Sequence, residues 1–216
     1  MTFRLTRARW AALASVVTLA AIPLVPGAAF ADDAAPPSSK ITLDVVTVNG
    51  SGCPAGTAAV SMLPDNTGFR INYSAFRAED GGTADPTGFR QNCQVNLNVH
   101  IPSGFTFAVA RADYWGRAHL ESGATALERS NYYYQSSSDN NYIDHSYSGP
   151  YDGTWHAIDV TESADLVYAP CGVVRNLNIN TELRVNSGTS TAKSWISMRG
   201  SDGTAYTIVN FAWQTC

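Results

Sequence analysis

Positive charge is scarce in this sequence and is nowhere concentrated. Its 14 basic residues include only two lysines, Lys40 and Lys193, the arginines beyond the first ten residues are scattered, and the formal net charge is −4 at pH 7. Proteins bind the phosphate groups of nucleic acids with clusters of basic side chains, and this sequence has no such cluster. We expect neither nucleic acid nor a membrane as a partner of the mature protein.

Catalytic and redox motifs are missing as well. The sequence has no G-x-S-x-G elbow, no H-E-x-x-H and no C-x-x-C pair, which are signatures of α/β-hydrolases, zinc proteases and thiol redox proteins. We therefore predict no catalytic residue, no cofactor and no metal. The alternative is an extracellular hydrolase in which His100 or His119 meets a carboxylate such as Asp113 or Glu121, because a general base needs a positioned partner.

Apolar residues at helical spacing are absent from any long window, and from Ile41 onward the dominant period is two. Residues 94–101 ("QVNLNVHI") and 176–185 ("NLNINTELRV") alternate aliphatic and polar side chains, as half-buried strands do. The sequence predicts an all-β domain over residues 41–216, a single antiparallel β-sandwich of jelly-roll or Greek-key type with about nine to eleven strands. Further strands are predicted at residues 41–48, 57–63, 69–76, 105–115, 131–135, 155–160, 194–199 and 205–213, with hairpin turns at 64–68 and 200–204.

The N-terminus has the layout of a secretory signal peptide. Three arginines and no acid precede an apolar run over residues 10–24, and small residues lead up to Ala31. Prolines and a glycine keep that run below the roughly 20 residues that a membrane span needs, so we prefer secretion to a retained anchor. We predict a signal peptide at residues 1–31 and a flexible leader at residues 32–40.

Four cysteines lie in the mature part: Cys53, Cys93, Cys171 and Cys216. An even number in an oxidising compartment predicts two disulfides, and four cysteines allow three pairings. We favour Cys53 with Cys93 and Cys171 with Cys216, because these pairings close loops of similar length, each worth about 4 kcal/mol in the chain-entropy model.

Oxygen-bearing side chains cluster after the tyrosine run, at Asp139, Asn140, Asn141 and Asp144. Calcium prefers six to eight oxygen ligands, roughly, so this loop could offer several. The spacing does not match an EF-hand, and Asn and Asp are also ordinary turn residues. The sequence leaves open whether this loop binds calcium.

Two strands carry rows of asparagine on their polar faces. If they are neighbours, Asn96 and Asn98 meet Asn178 and Asn180 beside His100, and the amides could hydrogen-bond a sugar or a peptide edge. The interpretation we favour is that a loop covers the patch and the amides satisfy its backbone groups.

Aromatic residues supply further candidates. Strand alternation sends Tyr132 and Tyr134 into the core and leaves Tyr133 outward, followed by a mobile polar loop. We expect Tyr114 and Trp115 to plug the core near a sheet end, where strand 105–115 leaves the core, although they could instead form a stacking platform for a ligand. The candidate ligand-binding residues are Asn96, Asn98, His100, Tyr114, Trp115, Tyr133, Asn178 and Asn180.

Six ordered stretches resemble a known family: "NGSGCPAGTAAV", "FRINYSAFRAEDG", "RQNCQVNLNVHIPSGFTFAVARADYWGRAHLESGA", "YYYQ", "PCGVVRNLNINTELRV" and "FAWQTC". From about Val48 to Cys216, the chain is similar to small secreted proteins of bacteria and fungi that are grouped as a domain of unknown function. The resemblance implies a secreted, mostly β protein with two disulfides, and it implies no activity, cofactor or catalytic residue.

These observations predict a secreted extracellular protein, monomeric and non-catalytic, that binds a partner or serves as a structural component. The partner would be an extracellular polysaccharide, cell-surface material or another protein. A protease inhibitor is a variant of this hypothesis, because a disulfide-stapled domain can present a rigid loop to a protease cleft.

Overall fold

Strands account for most of residues 34–137, 141–198 and 205–216, which the computed structural model describes. All of their pairings are antiparallel. The strands are β1 Thr42–Asn49, β2 Ala58–Met62, β3 Gly68–Tyr73, β4 Arg77–Asp80, β5 Arg90–His100, β6 Phe105–Leu120, β7 Thr125–Tyr134, β8 Asn141–Ser148, β9 Tyr151–Val160, β10 Leu177–Asn186, β11 Ser194–Ser197 and β12 Tyr206–Thr215. A short 3-10 helix spans Ser163–Asp165, and no helix in these ranges is long and apolar enough to cross a bilayer.

The strands form two sheets with the core between them. One sheet has the order β1-β5-β10-β7-β8, and the other has the order β2-β3-β12-β6-β11-β4 with β9 paired to β6. Leu97 and Leu183 from the first sheet join Tyr114 and Val209 from the second in one buried cluster. The prediction of an all-β sandwich is confirmed.

The alternation in β5 explains why this segment forms a strand. Val95 and Leu97 are buried while Gln94 and Asn96 lie on the outer face of the sheet. Burying an aliphatic side chain of this size contributes about 1.5–3 kcal/mol relative to leaving it exposed. A register shift of one residue would exchange the two faces, so the pattern also fixes the pairing.

The prediction that strand 105–115 leaves the core near its end is wrong, because β6 stays in the sheet as far as Leu120. A β-bulge lies where Asn210 pairs with Arg111 and Phe211 pairs with Val109. The extra residue inverts the alternation, so the inward positions change parity across the bulge. Strict alternation over residues 105–115 would put Phe107 and Trp115 on one face, whereas the structure buries Phe107 and leaves Trp115 partly exposed.

Two strands were missed and one predicted hairpin is wrong. β4 is too short to show a period, and β8 occupies part of the segment expected to be a mobile loop, which puts His145 in a strand. β11 and β12 each pair with β6 rather than with each other. The turn expected at residues 200–204 lies outside the described residues.

The described part of the expected flexible leader is held in place. The Ala34 amide donates to the Trp213 carbonyl at 2.8 Å, and Asn66 Nδ2 donates to the carbonyls of Pro37 and Ser39 at 2.8 and 2.9 Å. Residues 34–40 therefore make specific contacts where the polar composition had suggested a free segment. The predicted signal peptide at residues 1–31 lies outside the described residues.

The structure pairs Cys53 with Cys93 and Cys171 with Cys216, which is the pairing that similar loop lengths favour. The two disulfides differ in burial: Cys53 and Cys93 are 0% and 2% exposed, whereas Cys171 and Cys216 are exposed at the surface. The first bridge is therefore part of the core, and the second ties the C-terminus to a surface segment.

A buried carboxylate joins the two sheets. Asp159 of β9 accepts hydrogen bonds from the hydroxyls of Ser130 and Tyr132 of β7, the latter at 2.8 Å, and pairs with His145 Nε2 of β8 at 2.6 Å. Since β9 belongs to one sheet and β7 and β8 to the other, this Asp159 cluster fixes the sheets against each other. A buried carboxylate is tolerated because three donors surround it.

Glu128, the neighbour of this cluster, has no such partners. Its side chain is fully buried, and neither carboxylate oxygen has a hydrogen-bond partner among the described residues. Burial, followed by the charges of Asp159 and Asp144, raises the pKa of Glu128 well above its ordinary value. Glu128 is therefore protonated at pH values where an exposed glutamate is ionised.

We expect the exposed disulfide to be reduced first. In the folded protein, a mild thiol reductant should open Cys171–Cys216 while Cys53–Cys93 stays closed, because thiol–disulfide exchange needs access to sulfur. Alkylation followed by mass spectrometry would locate the free thiols. Loss of the loop constraint should lower the free energy of unfolding by about 4 kcal/mol, and equal labelling of both pairs would contradict the expectation.

We expect Glu128→Gln to stabilise the protein at neutral pH. A raised folded-state pKa means that stability is full below the unfolded value of 4.5 and is lost as pH rises towards the folded value. Gln has no proton to lose, so the gain should grow above pH 4.5 by up to about 1.4 kcal/mol per pH unit. Urea unfolding at several pH values would measure it.

Glu182→Gln is the matched control for this prediction. Glu182 is also buried, but its carboxylate is ion-paired with Arg90 and Arg184. Its replacement should destabilise the protein at neutral pH, because it leaves two arginines without their partner. The expectation for Glu128 fails if both variants lose stability at pH 7 and change in parallel with pH.

Candidate functional site

A cleft opens at one end of the sandwich, where β7 and β9 end and β10 begins. Its volume is about 500 Å³, within the range of roughly 300–1,000 Å³ that is typical of small-ligand sites. We call it the tyrosine cleft. Its lining residues are Val109, Tyr132, Tyr133, Tyr134, Ile143, Val160, Thr161, Glu162, Asp165, Val167 and Leu177.

The three consecutive tyrosines play different parts. Tyr132 and Tyr134 are buried, as the alternation predicted, and Tyr133 is partly exposed. The hydroxyl of Tyr134 donates to the Phe107 carbonyl at 2.8 Å, and burial followed by the nearby Asp159 raises the pKa of Tyr132, so its hydroxyl keeps the proton it donates. Two hydroxyls thus face the core, and both residues also line the cleft.

Tyr133 is the tyrosine available to a ligand. Its hydroxyl accepts a hydrogen bond from Gln94 Nε2 at 3.4 Å, which leaves its own proton free for donation. Because β10 lies between β5 and β7, this bond to Gln94 of β5 carries the ring across the outer face of the five-stranded sheet. A ring fixed in this way offers apolar contact area at little conformational cost.

The opposite side of the cleft is formed by residues 161–176, which connect β9 to β10 and which we call the strap. The Thr161 amide donates to the Ala110 carbonyl, and the Ala169 amide donates to the Phe107 carbonyl, each at 2.9 Å. Thr106 Oγ1 donates to the Ala169 carbonyl at 2.5 Å. These bonds to β6 and the Cys171–Cys216 disulfide hold the strap in place.

The strap gives the cleft its charge. Glu162 precedes the 3-10 helix and Asp165 is its last residue; both line the cleft and are exposed. The other described lining residues are aliphatic residues, tyrosines and one threonine. The site is therefore an apolar and aromatic cleft with an acidic rim.

The asparagines of the predicted amide patch lie on the paired strands β5 and β10, and none of them lines the cleft. Asn96 pairs with Asn178 in the register of β5 and β10; Asn96 Nδ2 donates to Asn178 Oδ1 at 2.7 Å, and Asn176 Nδ2 donates to Asn96 Oδ1 at 2.9 Å. The Oδ1 atoms of Asn98 and Asn180 are buried and have no hydrogen-bond partner in the part of the chain that the structure describes. Asn96, Asn176 and Asn178 therefore join one another across the two strands.

His100 lies apart from this patch, at the exposed end of β5. Its Nε2 pairs with Asp44 Oδ2 at 2.7 Å. Together with Asn98, it lines a second cleft of about 560 Å³ beside the Cys171–Cys216 disulfide. The eight candidate residues are thus divided between several places.

Tyr114 and Trp115 have different surroundings. Tyr114 is fully buried, as expected of a core plug. Trp115 lies on the outer face of the seven-stranded sheet, stacked on His156 at 4.4 Å and tilted against Tyr206 at 4.5 Å between ring centroids. Because its two neighbours flank the indole, Trp115 presents an edge rather than a free face to a ligand.

The hydrolase alternative required a histidine and an acid that converge. Each histidine contacts a carboxylate: besides the pairs of His100 and His145, His119 Nε2 lies 3.1 Å from Glu121 Oε1 and His156 Nε2 lies 3.0 Å from Asp113 Oδ1. Burial alone would raise the pKa of Asp113, but hydrogen bonds from Arg111 and His156 outweigh it and lower that pKa. Of these pairs, the one between His145 and Asp159 lies behind Tyr132 of the cleft.

Two of the four candidate calcium ligands, Asp139 and Asn140, lie outside the described residues. Asp144 is described, and its two carboxylate oxygens each accept a 2.6 Å hydrogen bond from Arg129. These bonds lower the pKa of Asp144. A carboxylate committed to a bidentate arginine pair is a poor cation ligand.

Sequence reasoning missed the acidic and apolar residues of the strap. Glu162 and Asp165 have ordinary surface composition, and Val160 and Val167 do not follow a strand period past the end of β9. The one signal was the run from Leu166 to Pro170, which is apolar or aromatic and follows the mostly polar residues 161–165. It indicates contact with the body of the protein but not where that contact is made.

The fold, its two disulfides and the extracellular setting that they fit define a class: secreted, disulfide-stapled β-sandwich proteins. The chain belongs to the family described as Domain of unknown function (DUF4360), whose model matches residues 39–216. A relative from Arthroderma benhamiae, described as an uncharacterized secreted protein, is 31% identical over 182 residues, covering 84% of this chain and 74% of the relative. The predicted family resemblance and the secreted location are confirmed.

Among solved structures, the enzymatically active domain of tailspike protein 4 from bacteriophage CBA120 is similar to 82% of this chain. The identity is 14%, the TM-score is 0.25, and the match spans 20% of that chain.

We expect Tyr132→Phe to destabilise the protein more than Tyr134→Phe does. Both changes remove a buried hydroxyl and keep the ring, but Tyr132 donates to a carboxylate and Tyr134 to a backbone carbonyl. The losses should be about 1.5–3 and about 1 kcal/mol respectively. Urea unfolding would measure both losses. Equal losses would show that the bond to Asp159 stabilises the protein no more than an ordinary bond to a backbone carbonyl.

Proposed function

We propose that this protein is a non-catalytic extracellular binding protein whose tyrosine cleft holds a segment of a polysaccharide. The observation that carries the proposal is a concave site of about 500 Å³ whose lining includes three consecutive tyrosines, residues 132–134, and two exposed acids, Glu162 and Asp165. Sugar rings have apolar C–H faces, which pack on aromatic rings, and hydroxyls, which donate to carboxylates. The cleft offers partners for both.

The size of the cleft supports a polysaccharide over a protein partner. A volume of about 500 Å³ accommodates a few sugar rings. A stable protein interface needs about 800 Å² on each partner, more than a cleft of this kind provides. The rest of a polymer would continue across the surface outside the cleft.

Retention on insoluble polysaccharides, followed by titration with soluble oligosaccharides, tests the proposal. Tyr133→Ala should weaken binding about tenfold or more, because loss of an aromatic anchor typically costs over 1 kcal/mol. Tyr142→Ala is the matched control, since Tyr142 is 65% exposed and does not line the cleft. Equal retention of both variants, or no retention of the wild type on any matrix, would sink the proposal.

A hydrolase is the second candidate, and the 2.6 Å contact between His145 and Asp159 behind Tyr132 favours it. The two candidates differ in whether the polymer is consumed. If soluble fragments accumulate during incubation and His145→Gln abolishes their release, the protein is a hydrolase. Stable binding without fragments supports the non-catalytic function.

A further inference from the structure

We propose that the protein has a second polar site, a chamber between the two sheets that binds ordered water. Its walls carry the carboxyl group of Glu128, the hydroxyl of Tyr114 and the indole nitrogen of Trp155, and we call it the buried chamber. This inference is independent of the tyrosine cleft and of its ligand.

The first support is that all three groups are buried and have no protein partner in the described residues. Glu128 and Tyr114 are 0% exposed, and Trp155 is 3% exposed. Both carboxyl oxygens of Glu128, the Tyr114 hydroxyl and Trp155 Nε1 make no hydrogen bond within residues 34–137, 141–198 and 205–216. Polar groups buried in this way are usually bonded to internal water, which proteins hold at roughly one molecule per 27 residues.

The second support is that two of these groups are neighbours on the seven-stranded sheet. Trp155 of β9 pairs with Gly116 of β6, and Tyr114, the next inward residue of β6, pairs with Ala157. All four residues are buried, so Tyr114 and Trp155 occupy adjacent inward positions on neighbouring strands. A Cβ atom on Gly116 would lie 2.4 Å from the indole of Trp155, so the indole lies directly against β6.

The third support connects Glu128, on the opposite sheet, to Trp155 through Tyr147. The ring centroids of Tyr147 and Trp155 are 5.5 Å apart. Burial, followed by the charge of an ionised Glu128, raises the pKa of Tyr147. Glu128 is therefore within electrostatic reach of a tyrosine that contacts the indole.

A second set of contacts connects Glu128 to Tyr114. Thr207 is the register partner of Tyr114 on β12, and its Oγ1 lies 3.4 Å from Tyr73 Oη. Burial raises the pKa of Tyr73, the bond to Thr207 lowers it, and an ionised Glu128 raises it further. Because Glu128 is near both Tyr73 and Tyr147, the three unpartnered groups surround one region between the sheets.

The chemistry of the three groups selects water over a cation. Trp155 Nε1 is only a donor, whereas a protonated Glu128 and the Tyr114 hydroxyl each donate and accept. Water also donates and accepts, so it can bridge all three groups, but a cation would leave the indole N–H without an acceptor. Ala112 along β6 and Ala157 across on β9 flank Tyr114, and their small side chains give room for water, which needs about 30 Å³ per molecule.

Water contacts at two indole nitrogens test the inference by NMR. The Trp155 Nε1 proton should show a direct cross-peak to long-lived water in rotating-frame Overhauser spectra. Trp213 is the matched control, because its indole is also buried, at 2% exposure, and donates to the Asn66 carbonyl at 3.2 Å. A cross-peak at Trp155 and none at Trp213 supports the inference, whereas no cross-peak at Trp155, or equal cross-peaks at both, overturns it.

Removal of one hydroxyl tests the same water through its effect on stability. Tyr114→Phe should lower the urea midpoint of unfolding, as Tyr134→Phe does, because each variant loses a buried hydroxyl that has a bonding partner. A buried hydroxyl without any partner destabilises the folded state, so its removal would leave the midpoint unchanged or raise it. That result would overturn the inference.

A small cation held by Glu128 is the competing occupant. Unfolding midpoints in sodium, potassium and choline chloride at equal concentration distinguish the two. Equal midpoints support water, because water needs no particular salt. A higher midpoint in sodium or potassium that is lost in Glu128→Gln identifies a cation site and overturns the inference.

Discussion

The packing of two sheets against each other depends on one buried carboxylate. Asp159 lies on β9, and its three partners, Ser130, Tyr132 and His145, lie on strands of the opposite sheet. An aliphatic core holds sheets together without choosing an angle between them, because hydrophobic contact is non-directional. Hydrogen bonds to a carboxylate are directional, so the cluster fixes where β8 and β9 sit relative to each other.

The tyrosine cleft follows from this arrangement. Tyr132 is both a donor to Asp159 and part of the cleft lining, so the cluster holds one side of the cleft. The strap forms the other side and is held by backbone bonds to β6 and by the Cys171–Cys216 disulfide. A binding site between two fixed sides needs little ordering when a ligand arrives, which favours affinity.

Much of the fold was readable from short-range pattern, and the errors have specific physical causes. β5 and β10 were predicted because aliphatic residues alternate along them, and the tyrosine triplet was divided correctly for the same reason. The bulge opposite Asn210 reversed the faces of β6, and nothing in the local sequence marks an extra residue. β8 was missed because its inward residues include His145, which replaces an apolar residue by bonding to a distant aspartate.

The sequence by itself determined the β class, the secreted setting with its two disulfides, and the inward and outward faces of regular strands, because each depends on composition or on the period of neighbouring residues. Only the tertiary structure decided which polar residues meet. It divided the predicted site, buried Tyr114, enclosed Trp115 between two rings, and brought Glu162 and Asp165 into one cleft with Tyr133 across about thirty positions of chain. These contacts depend on how the sheets and the strap pack. Contacts between residues far apart in the chain produce no periodic pattern of apolar and polar residues in the sequence.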